Sequence, residues 1–168
     1  NTNFYSVKHH FNSDMETQPP AQFNDQQLVE FAQQLNNIAD QQQNIFELKP
    51  VLKAQGLDSA LKLCQIVYQI NAKPTVKYLI FSNLSTFLHP RAPPEFLNSI
   101  ISQFIPLFMT EQNKAASIGI CRCIATSVYH LLNSENFQSI FDLLKKLEGP
   151  AFILFLCELQ HILSLAQD

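Results

Sequence analysis

Four cysteines, five histidines and fourteen carboxylates are the groups in this chain best equipped for chemistry, and their spacing decides what is available. Cys121 and Cys123 stand two apart inside a helical apolar pattern. On a helix such neighbours point about 200° away from each other, so the two sulfurs cannot close on one ion. A tetrahedral zinc site also needs two further ligands at short spacing, and this segment supplies none. Two small apolar side chains in a core are the plainer reading. Cys157 and His161 are four apart and share a helix face, a geometry that could pair a nucleophile with a base. A packed thiol beside a boundary histidine explains the same spacing and is the reading adopted. His9-His10 sit in a polar, aperiodic stretch, where two adjacent imidazoles in solvent hold a metal weakly. Glu30, Asp40, Glu47 and Asp142 fall singly on polar faces, with no pairing suited to acid–base work.

Phosphate-cradling loops need clustered glycines, because only these let backbone amides approach the anion. Gly56, Gly119 and Gly149 are isolated. Asn83-Leu84-Ser85 matches a glycosylation acceptor but lies inside a helical stripe, so we read it as a chance match. The expectation is a protein without catalytic residues, without a metal site and without a cofactor.

Charge narrows the partners. The formal net charge is −3, which gives no global basic field for nucleic acid or an anionic membrane. Its distribution is uneven. Lys49, Lys53, Lys62, Lys73 and Lys77 face a single acid, Asp58, over that stretch, whereas from Ser134 onward acids outnumber Lys145 and Lys146. A basic face of this kind could steer a phosphoinositide headgroup or RNA, and a solvated helix face accounts for it more simply. Base-stacking aromatics are weak here, since Tyr68 and Tyr78 fit buried stripes. All four cysteines fall in apolar helical patterns, a usage that points to a reducing compartment, cytosol or nucleus. The longest unbroken apolar run, Ala151 to Cys157, is far short of the roughly 20 residues a membrane span requires.

The elements that must position these groups are helices throughout. Residues 1–23 lack a sustained period and contain Pro19-Pro20, so they read as a flexible arm before a helical domain over 24–168. From Asp25, Leu28, Phe31, Leu35 and Ile38 recur at three- and four-residue steps. Pro50 should kink or split the next segment, Gly56 should stop it, and Asp58 should cap its successor. Pro74 and Pro94 open further helices, Pro106 should bend the end of the latter, and Asn113 to Leu132 forms another. Ser134 caps a helix with Phe137, Ile140, Phe141 and Leu144 as its inward stripe, and Pro150 starts the last one. No segment carries a period of two. With a 46% apolar composition and 168 residues, one domain can bury about two-thirds of the surface its unfolded chain exposes.

Helix starts recur at intervals of about 38 residues in two interleaved series, Asp58, Pro94, Ser134 and Pro74, Asn113, Pro150. A hairpin of this size cannot bury its own apolar side and stacks on its neighbours. The expected fold is therefore all-α, about eight helices arranged as antiparallel hairpins in a short α-solenoid. The hairpin LDSALKLCQIVYQINAKPTVKYLIFSNLSTFL, followed by PPEFLNSIISQFIPLF, resembles the HEAT or armadillo-type N-terminal hairpins of importin-β and exportin nuclear transport receptors. The resemblance covers roughly residues 25–132 and is one of pattern, without fixed motif residues. It implies a partner such as a small GTPase, a cargo or a nucleoporin. A similar superhelix occurs in VHS, ENTH and polymerase-tail-binding adaptors, which would turn the basic face toward phosphoinositide or nucleic acid.

The last helix bears most on function. Phe152, Ile153, Leu154, Phe155, Leu156, Leu159, Ile162, Leu163 and Leu165 cover nearly its whole circumference. A terminal helix normally keeps one polar face for solvent. Either it lies centrally, wrapped by the others, or Phe152, Leu156 and Leu159 meet another chain: a protein partner, a second copy or the rest of a longer parent. The start on Asn1 and the stop at Asp168 lead us to expect a piece of such a parent. The function expected is a protein-interaction scaffold rather than an enzyme. Because the arm buries little apolar area, deleting residues 1–22 should leave the melting temperature within a few degrees. A large drop in thermal denaturation would mean that Phe4, Tyr5 or Phe11 docks on the domain.

Overall fold

A computed structural model describes residues 22–39, 48–88, 92–132 and 137–165. The His9-His10 pair, Asp40, Glu47, the His89-Pro90-Arg91 turn and the Ser134 cap lie outside the described residues. Seven α-helices and no strand are present among them: α1 Asp25–Ile38, α2 Leu48–Gln69, α3 Pro74–Phe87, α4 Pro94–Thr110, α5 Lys114–Leu131, α6 Phe137–Leu144 and α7 Gly149–Leu165. The fold is all-α.

Local signals set most boundaries. Asn24 begins α1 with a reciprocal cap: its Oδ1 accepts from the Gln27 amide at 2.9 Å, and Gln27 Oε1 accepts from the Asn24 amide at 2.9 Å. Phe23, which the period alone assigns to the arm, packs its ring on Phe31 at 5.7 Å, and its amide donates to Gln55 Oε1. Phe23 thus belongs with α1 and α2, while residues 1–21 of the expected arm lie outside the described residues. Within α2 the break falls at Gly56 (φ 81°, ψ 172°), a conformation that L side chains rarely adopt. Pro50 causes no break, because it sits in the first turn of α2, where a helix has no use for the missing donor. Counted by backbone, α2 is two helices end to end. Its far end is closed by Asn71 in the left-handed region (φ 49°): the Ala72 amide donates to Val67 O and the Asn71 amide to Tyr68 O. Pro74 and Pro94 occupy the first positions of α3 and α4, and α4 runs past Pro106 to Thr110. Asn113 caps α5 by accepting from the Ala115 and Ala116 amides.

Packing follows two rows. In one, α3, α5 and α7 lie side by side, with α5 between its neighbours. In the other, α2 backs α3, α4 backs α5, and α6 lies against α4, while α1 covers α2. Gln65 Nε2 donates to Gln103 Oε1 at 2.9 Å and ties α2 to α4. The interior is aromatic where the rows meet: Tyr68, Phe81 and Phe104 form an edge-on series with centroids 6.0 and 4.9 Å apart. Gly119 lets α5 approach α3 most closely. A Cβ there would lie 3.1 Å from Tyr78 O and 3.2 Å from Phe81 Cβ, closer than ordinary packing allows.

One expected core position is reversed. Ile140 is fully buried, but Phe141 is 48% exposed and carries the Lys145 ammonium over its ring at 5.1 Å. α6 therefore presents a narrower face to α4 than the spacing of its apolar residues suggests. Phe104→Ala should cost about 3–5 kcal/mol, because the surrounding aromatics cannot collapse into the void. Phe141→Ala should cost under about 1 kcal/mol in the same urea titration, as expected for a surface position.

Candidate functional site

α7 is held to α5 along one face only. Phe155 is its one fully buried side chain, with Ala151, Leu154, Leu159 and Ile162 half-buried against the core. Glu158, on the same side, takes a 3.1 Å ion pair from Arg122 of α5, and both partners are largely shielded. The central position for this helix is thus excluded: the most apolar of the described helices lies at the end of its row. Its opposite face stays open. Phe152 is 41% exposed, Leu156 46% and Leu163 39%, Ile153 is more exposed still, and Leu165 is exposed at the helix end. Leu159, expected among the contact residues, stands at the edge of this face and is partly covered by the core. Glu158 is the helix's one formal charge, so the outward face carries none.

The basic residues stand in different surroundings. Lys53 is exposed, but Lys62 is paired with Asp25 of α1 at 2.7 Å. Lys73 lies half-buried where its amide donates to Asn36 Oδ1 at 2.7 Å, joining α3 to α1. Lys49 falls in the first turn of α2, with its side chain outside the described residues. Lys77 belongs to a cluster that sequence spacing did not disclose. Its ammonium lies 4.3 Å from the Tyr68 ring centroid and 3.5 Å from Glu111 Oε2, which also accepts from Tyr68 Oη at 2.5 Å. Glu111 Oε1 accepts from the Asn113 amide at 2.8 Å. One carboxylate thereby ties α2, α3 and the α4–α5 turn together.

Burial keeps three of the four cysteines out of chemistry. Cys64, Cys121 and Cys123 are buried, and Cys157 is exposed. Cys121 and Cys123 diverge as their spacing requires, Cys123 Sγ donating to Phe81 O of α3 at 2.9 Å. Burial pushes the Cys121 thiol up to about 12, with the nearby Glu158 charge adding to the effect. It also pushes Cys64 and Cys123 well up, so all three stay protonated at neutral pH. Cys157 and His161 are both exposed on α7, so the packed thiol expected there is not found: Cys157 falls on the side of the helix turned away from the core. Asp142 pairs with Lys145 at 2.9 Å, and Glu30 accepts from Gln26. Among the described residues no three His, Cys, Asp or Glu side chains gather as metal ligands would, and no helix is long and apolar enough to cross a membrane.

Comparison of the chain with protein-family models, with curated proteins and with solved structures returned no match.

The Glu111 cluster gives a pH signature. Burial alone would raise this carboxyl, but the Tyr68 hydroxyl, the Asn113 amide and Lys77 outweigh it and hold it below its ordinary value of 4.5. A depressed folded-state value stabilises the fold above about pH 4.5, and that contribution is lost as pH falls through the folded value. Glu111→Gln should lower the melting temperature at pH 7. The gap between variant and wild type should shrink below pH 4, as followed by circular dichroism; a gap independent of pH would show that the charge contributes nothing.

Proposed function

We propose that this domain is a protein-interaction module of helical-repeat type, acting by binding rather than catalysis and contacting its partner through the outward face of α7. The observation that carries this reading is the exposure of Phe152, Ile153, Leu156 and Leu163 on one uncharged helix face. Surface leucines scattered singly need no explanation, but contiguous apolar area of this kind marks contact sites. The helix does not need these side chains to hold its place, since Phe155 and the Arg122–Glu158 pair fix it from behind. Binding rather than catalysis is favoured in this proposal by the burial of Cys64, Cys121 and Cys123 and by the commitment of Glu111 and Glu158 to structural partners.

The stacked helix pairs suit a fragment of a transport-receptor-like solenoid in the cytosol or nucleus, for which a GTPase, a cargo or a nucleoporin is the class of partner. The rival reading, an adaptor holding phosphoinositide or nucleic acid on its lysines, is weakened by the pairing of Lys62 and Lys77 with acids. A charge already neutralised at short range adds little to an external field.

Replacing Phe152 and Leu156 together by Asp tests the proposal. The double variant should keep its helical circular dichroism and melt within a few degrees of wild type. It should also lose proteins that the wild-type chain captures from cell extract. If the variant unfolds, the face belongs to the core and the proposal fails.

A further inference from the structure

We draw no further inference here: the strongest candidate, the uncharged outward face of α7 bearing Phe152, Leu156 and Leu163, belongs to the site already described, and nothing in the structure shows what covers it.

Discussion

α5 is enclosed on three sides, and the positions of the other helices follow from that enclosure. α3, α4 and α7 all pack on it. Its buried residues run from Ala116 through Gly119, Ile120, Cys121, Cys123, Ile124, Ala125, Thr126, Ser127 and Val128 to Leu131. Many of these are small, and small side chains allow three helix axes to come near a fourth without leaving voids between them. Gly119 marks the tightest crossing, where the α3 backbone occupies the space a side chain would take. A helix with one wide apolar stripe of leucines would serve only one or two neighbours at this distance. The two-row arrangement thus depends on the small residues of α5 as much as on the large apolar residues of its partners.

Polar contacts secure the relative placement of helices that the apolar interior brings together. Glu111 receives Tyr68 from α2, Lys77 from α3 and its own turn's amide, so the α4–α5 connection is fastened to the preceding hairpin. Arg122 and Glu158 perform the same office between α5 and α7. Removing one member of either pair leaves a shielded charge without its counterion, which costs more than the contact itself contributes. These two sites hold the end of the array in register and so define the direction in which the α7 face points. Function, on the reading proposed above, depends on that direction rather than on any reactive group.

Much of the helical layout was legible along the chain. Periods of three and four residues, with Pro74, Pro94 and Gly56 as punctuation, mark α1 to α4 to within a few positions. The misses have local causes. Pro50 is harmless because only position within the helix decides whether its missing donor matters. Asn71 closes α2 in a conformation usually given to glycine, and an asparagine in sequence does not announce which role it takes. Phe141 shares the spacing of a buried stripe but projects to solvent, since an eight-residue helix docked along one edge cannot bury a full face. The Tyr68–Lys77–Glu111 cluster joins residues whose separation along the chain has no characteristic value, so no motif could have revealed it.

The sequence by itself determined that the protein is helical, that Cys64, Cys121 and Cys123 fall on buried stripes, and that the last helix carries more apolar surface than one contact can cover, whereas the burial expected of Cys157 did not hold. These follow from composition and period, which act over a few neighbouring residues. Which helix lies at the centre was decided only by tertiary packing. By apolar content the choice would fall on α7, yet α5 holds that place and α7 the edge. Centrality requires that several neighbours approach at once, and this depends on where small side chains stand relative to the helices around them. The surplus apolar face of α7 was therefore readable as a quantity from the sequence. Its exposure became a fact only when α5 had taken the centre.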